Sequence, residues 1–187
     1  MNQGLIPRRY AKALYKVGAD RKETKALYDM MRRLIDVFAA EPRLQAAVAN
    51  PFVDAADKTA LLCDAVGIAG DAAKKGGADG TYCDFLKLLM QNHRIDIIRL
   101  VAQAYVDIYR EENHIFKVEV VSAAPLAPDE EQRLKSVVAK KLSGATMEYS
   151  SRIDPSLIGG FVVNVNSERL DASIKNELKQ LRLNLIN

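Results

Sequence analysis

Four side chains belong to types that ligate soft metals or attack electrophiles: Cys63, Cys83, His93 and His114. Metal and dithiol sites present such groups in short pairs, C-x-x-C or H-x-x-x-H, because one turn of chain must offer two ligands to one ion. Neither spacing occurs, so no metal and no cofactor are expected. The cysteines fall in helical patterns and read as small apolar packing groups, with no disulfide expected between them. His93 reads as a helix-connection residue and His114 as an exposed junction residue. Gly159-Gly160 is not a phosphate loop, since no Gly-Lys-Ser/Thr follows and the next segment is strand-like. No G-x-S-x-G elbow occurs. The sequence offers no catalytic residue, although a site assembled from distant residues stays open at this level.

The most informative stretch, residues 153–175, is architectural. Pro155 and Ser156 signal a turn, and Phe161 to Val165 reads as a strand rich in β-formers. Gly159 and Gly160 stand at its start, where a glycine pair marks a bulge or a close approach of backbone. Leu170-Asp171-Ala172-Ser173-Ile174 is read as opening a terminal helix with Leu178, Leu181 and Leu185 along one side.

Two periodicities divide the chain. From Pro7 to about Asn113 the apolar spacing is helical. Tyr10, Leu14 and Val17 recur on a first helix. A second, from about residue 22 to 39, carries Leu27, Met31, Leu34, Ile35 and Phe38. Pro42 starts a short third helix ending before Asn50-Pro51. Asp54 with Asp57 resembles a capping box that opens a fourth. Residues 67–80 hold five of the ten glycines and read as a mobile loop. Thr81 and Asp84 are expected to open a fifth helix, and a sixth starts near Asp96. After His114 the period changes to two, with Phe116, Val118 and Val120 alternating with Lys117 and Glu119. Pro128 begins a helix with Asp129, Glu130 and Glu131 in its first turn, suited to the macrodipole. Leu134, Val137, Val138 and Leu142 are its expected inward side. Met147 to Ile153 reads as a weaker strand. The fold class is mainly α with a small α+β part: a six-helix bundle over residues 1–112 and an α+β domain with a small sheet over 113–187. The charged junction at 109–115 reads as a hinge.

On a helical wheel, Tyr10, Ala11, Ala13, Leu14, Tyr15 and Val17 span an apolar arc of roughly 200°, wider than a core stripe needs. On the fifth helix Tyr82, Cys83, Phe85, Leu86, Leu88, Leu89 and Met90 span about 220°. Such a helix is either central or shared between core and a partner. Two shared helices would flank a groove fit for an amphipathic helix.

The composition agrees with a packed, non-membrane-spanning chain. Hydrophobic residues make up 49%, and no apolar run approaches the ~20 residues of a span. The first residues lack the apolar core of a secretion signal. Net charge is +3, with ten Lys/Arg against five Asp/Glu in the first fifty residues. A solvated helical face explains that excess. Nucleic acid is disfavoured because the remaining charges nearly balance and no aromatic–basic platform is present.

Five motifs, in order, give the chain a family resemblance. They are Arg8-Arg9-Tyr10-Ala11-Lys12-Ala13-Leu14; Asn50-Pro51 followed by Lys58; Phe85-Leu86-Lys87-Leu88-Leu89 followed by Asn92 and Arg94; Ser122-Ala123-Ala124-Pro125-Leu126; and the segment 153–175 with Asp154, Pro155, Gly159, Gly160, Asp171 and Ser173. Together they resemble the delta subunit of rotary ATP synthases, the oligomycin-sensitivity-conferring protein of mitochondria. Only residues 67–80 depart from the family pattern. The resemblance implies a non-catalytic stator subunit whose N-terminal helices one and five bind the N-terminal helix of an alpha subunit. That assigns the groove to Tyr10, Ala13, Leu14, Val17, Phe85, Leu88, Leu89 and Asn92. It also implies that the C-terminal domain binds the end of the peripheral-stalk b subunit. Membrane association would then come only through partners, on the cytoplasmic side of a bacterial inner membrane; a processed organellar chain would read the same. The alternatives are a free-standing adaptor for some other amphipathic helix, a small basic RNA-binding protein, and an enzyme with an unrecognised site.

Overall fold

The computed structural model describes residues 4–68, 76–142, 145–166, 168–174, 176 and 178. The chain divides into two compact units, Met1–Glu111 and Glu112–Asn187.

The first unit contains α1 (Leu5–Asp20), α2 (Thr24–Ala40), α3 (Pro42–Ala49), α4 (Ala55–Val66), α5 (Gly77–Gln91), a 3-10 turn (Ile95–Ile97) and α6 (Ile98–Glu112). Its core follows the helical periodicity. Leu27, Met31 and Leu34 of α2 lie fully buried with Leu62 of α4, Leu86 and Leu89 of α5, and Ile98 and Val101 of α6. Two buried tyrosines keep their polar ends satisfied, as burial demands. Tyr82 Oη donates to the Leu62 carbonyl at 3.1 Å and Tyr105 Oη to the Thr24 carbonyl at 3.2 Å. Burial pushes both phenols well above their ordinary range.

Several sequence expectations change here. Helix α5 starts at Gly77 rather than Thr81. Glycine weakens a helix by about 1 kcal/mol relative to alanine, so propensity argues against this extra turn. The fold supplies what propensity lacks: Gly80 and Thr81 are both buried. The rest of the expected glycine-rich loop, residues 69–75, lies outside the described residues. Asp54 does occupy the N-cap of α4, but its side chain makes no capping bond. His93 and His114 both take left-handed backbone, with φ of 53° and 52°, and each follows the last turn of a helix.

Among the described residues, the second unit is a four-stranded sheet with a helix packed on one face. Its elements are β1 (Ile115–Ser122), α7 (Pro128–Lys141), β2 (Thr146–Ile153), β3 (Gly160–Val165) and β4 (Glu168–Ser173), in the order β2-β1-β3-β4. Strand β1 runs parallel to β2 and antiparallel to β3, and β4 is antiparallel to β3. The alternation read in β1 places Val118 and Val120 inward with Val163, although Val121 and Ser122 are buried too. Leu134, Val138 and Leu142 pack on this core. Val137, expected among them, is 62% exposed. The inward stripe of α7 is the i, i+4, i+8 row, and Val137 sits on its shoulder.

Strand β4 corrects the reading of a helix opening at Leu170. Residues 168–173 pair with β3 in register, Asp171 opposite Val162 and Ala172 opposite Phe161. Asp and Ala are poor strand formers, but an edge partner overrides weak β-propensity. Helical backbone begins only at Ile174. Leu178 follows in it, while Leu181 and Leu185 lie outside the described residues.

Candidate partner-binding surfaces

Between α1 and α5 lies an open cleft of about 180 Å³, lined by Ala13, Leu14, Val17, Phe85 and Leu88 with Arg21, Thr81 and Asp84 at a polar end. The local cause is the excess width of both apolar arcs. Leu14 and Phe85 are buried and form a floor, whereas Val17 is 40% and Leu88 43% exposed. Apolar side chains held half in water around a depression suit a partner's apolar residues.

Three expected groove residues lie elsewhere. Leu89 is 0% exposed and belongs to the bundle core; one residue beyond Leu88, it is turned about 100° inward. Tyr10 meets the edge of Phe85 with centroids 6.5 Å apart, and so supports the floor without lining the cleft. Asn92 Nδ2 donates to the Leu88 carbonyl at 2.9 Å, closing the last turn of α5.

The polar end was not foreseen. Arg21 Nη1 donates to Thr81 Oγ1 at 2.8 Å, and Thr81 Oγ1 donates to Glu23 Oε2 at 2.8 Å. The signal was present in spacing: Arg21 follows Leu14 by seven residues, and Thr81, Asp84 and Leu88 fall at i, i+3 and i+7.

The C-terminal unit has its own depression, a cavity of about 730 Å³ between α7 and the approach to β3. Leu126, Leu134, Val137, Ile158 and Phe161 give it apolar walls, with Glu130 and Arg133 among its polar members. Ile158 stands 71% exposed at its rim.

The signature residues build this unit's turns. Asp154 Oδ1 accepts from the Ser156 N–H at 3.0 Å in the turn that contains Pro155. Asp171 Oδ1 accepts from the Ser173 N–H at 3.1 Å and from its hydroxyl at 2.6 Å. Ser173 Oγ in turn accepts from the Asn176 N–H at 3.3 Å, the bond of an N-cap. Asp171 and Ser173 thus end a strand and start a helix within three residues. Ser173→Ala is expected to cost about 1 kcal/mol in the C-terminal unit, read as a lower denaturation midpoint for that unit alone.

Hydrogen bonds from Ser156 and Ser173 hold the Asp154 and Asp171 carboxyls below the ordinary aspartate value of 3.8. Groups depressed in the folded state stabilise it fully above the unfolded value and cease to do so as pH falls through the folded one. The C-terminal unit should therefore lose stability below pH 3.8. Asp171→Asn should flatten that loss in an acid titration followed by circular dichroism.

Among the described residues no three His, Cys, Asp or Glu side chains cluster to hold a metal. One unit is a helical bundle with an apolar cleft and the other an α+β unit with an apolar depression, the kind of surface that suits a protein-binding module rather than an enzyme pocket. Residues 6–185 match the family model described as ATP synthase delta (OSCP) subunit. Proteins named ATP synthase subunit delta from Parabacteroides distasonis and Bacteroides thetaiotaomicron are each 32% identical to it, over 100% of this chain and 98% and 96% of theirs. One from a Geobacillus strain is 27% identical over 100% of this chain and 99% of its own. A subunit in the cryo-EM structure of the Toxoplasma gondii mitochondrial ATP synthase hexamer shares the fold, with a TM-score of 0.74, 19% identity and 97% of each chain covered.

The chain belongs to the ATP synthase delta (OSCP) subunit family. It is a non-catalytic, peripheral-stalk component of a rotary ATP synthase, as the five motifs led us to expect.

Proposed function

We propose that the α1–α5 cleft receives the N-terminal helix of an alpha subunit, and that the C-terminal unit, through the depression beside α7, receives the end of the b subunit. The chain then joins the catalytic head to the stalk and stops the head from turning with the rotor. The observation that carries this reading is the convergence on one cleft of Ala13, Leu14 and Val17 with Phe85 and Leu88, residues more than sixty positions apart in sequence. Its apolar floor suits the apolar face of an amphipathic helix, and its polar end offers register. Among the described residues no helix is long and apolar enough to cross a membrane. In this reading the chain is held at the cytoplasmic face of a bacterial inner membrane by its partners.

A fragment ending at Glu112 tests the division of labour. Its apolar stripes close on one another, so it should give a helical spectrum and a cooperative melt alone. It should bind an alpha-subunit N-terminal peptide in calorimetry and fail to capture the b subunit. Capture of b by this fragment would overturn the assignment of the two partners to the two units.

A further inference from the structure

We propose that Cys63 and Cys83 form a thiol-oxidation site, closed to a disulfide by a hydroperoxide, that locks α4 to α5. These are the only cysteines in the chain. Both are free thiols, with Sγ atoms 3.6 Å apart. A disulfide bond is about 2.05 Å long, so closure requires the sulfurs to approach by roughly 1.5 Å. The backbone flanking the pair is already clamped: Tyr82 Oη, one residue from Cys83, donates to the carbonyl of Leu62, one residue from Cys63.

The two thiols are inequivalent, and this assigns their roles. Cys63 is partly exposed and meets the oxidant, whereas Cys83 is 1% exposed and resolves. The Cys63 thiolate attacks the distal peroxide oxygen, and the O–O bond breaks to give a sulfenic acid and an alcohol. The Cys83 sulfur then attacks the sulfenic sulfur, expelling water. In total two thiols and one hydroperoxide give one disulfide, one alcohol and one water; sulfur is oxidised and the peroxide oxygens are reduced. The second step is favoured because the partners are held in contact.

The first step is slow at neutral pH. Burial, the hydrogen bond with Cys83 and the nearby Asp64 and Asp79 push the Cys63 thiol up to about 12. Asp64 lies on α4, while Asp79, Tyr82 and Cys83 face the thiol from α5. The thiolate fraction, and with it the closure rate, should rise about tenfold per pH unit between pH 7 and 9. The site therefore answers sustained oxidation rather than brief pulses, and its product crosslinks across the glycine-rich connection between the two helices.

The test treats the full-length chain with hydrogen peroxide at pH 8.5, followed by digestion without reductant. The expected result is one intramolecular link between the Cys63 and Cys83 peptides, with the loss of two hydrogens. The thermal midpoint of the helical unit should rise by about 10 °C and return with dithiothreitol. Cys63→Ser, at a partly exposed position, should melt like the reduced protein and gain nothing from peroxide. Intermolecular dimers, or sulfinic acid at Cys63 without the link, would overturn the site. A link that leaves the midpoint unmoved would overturn the lock.

Discussion

Gly160→Asp is expected to unfold the C-terminal unit while the helices α1–α6 stay folded. Gly160 has φ of +76°, and a Cβ there would meet the Ala172 carbonyl oxygen and stand 3.0 Å from Ser173 Cα. Both obstacles are backbone of β4, the strand paired with β3 at this point, so neither can swing aside as a side chain would. Left-handed strain at a non-glycine residue costs about 1–3 kcal/mol, and separating the strands adds ladder bonds to that loss. A total of roughly 3–5 kcal/mol is enough to unfold a unit this small. Gly160→Ala isolates the steric part, since it adds the Cβ without the charge. Gly159→Ala is the mild control: its Cβ would lie 2.6 Å from Ile174 Cδ1, the movable end of a side chain. Amide exchange should show protection lost across β1–β4 and retained in α1–α6. Wild-type protection in Gly160→Ala would show that the close approach does not matter. In the assembled enzyme the variant should hydrolyse ATP normally yet hold its stalk poorly.

The contrast between the two glycines shows what the sequence made legible. A pair before a β-rich run announced a special backbone site, but only the pairing of β3 with β4 separates the essential glycine from its neighbour. The α2 stripe was readable because Leu27, Met31, Leu34 and Phe38 keep one period and all end buried. Strand β4 was not, because Glu168-Arg169-Leu170-Asp171-Ala172-Ser173 has neither alternation nor β-formers, and exists as a strand because β3 offers it an edge. The terminal helix expected from Leu170 starts at Ile174, four residues later, behind the local cap of Ser173. For the cleft, the arcs on α1 and α5 identified the correct helices. An arc of over 200° does not say which of its margins faces solvent; that depends on where α2, α4 and α6 stand. Leu88 and Leu89, adjacent in sequence, therefore part company. The polar end joins Arg21 to Thr81 across sixty residues, a contact that no local pattern encodes.

That separation of margin from core makes the second large effect predictable. Leu88→Asp and Ala13→Asp should each weaken binding of an alpha-subunit N-terminal peptide by 30-fold or more, about 2 kcal/mol, as loss of a central interface contact does. Both positions are exposed in the free chain, so the carboxylate stays hydrated and the helix pays only a propensity difference below ~0.7 kcal/mol. In the complex the same carboxylate must be desolvated against apolar side chains. At position 13 it would also share the cleft with Asp84. Melting temperatures should stay within a few degrees of wild type. Leu89→Asp should behave in the opposite way, placing a charge in a fully buried site and unfolding the helical unit. Calorimetric binding alongside thermal melts of the three variants separates the outcomes. If Leu88→Asp and Ala13→Asp fold normally and bind the peptide as tightly as wild type, the alpha-subunit helix does not lie in this cleft. If they unfold as Leu89→Asp does, α1 and α5 are core helices throughout and have no margin left to share with a partner.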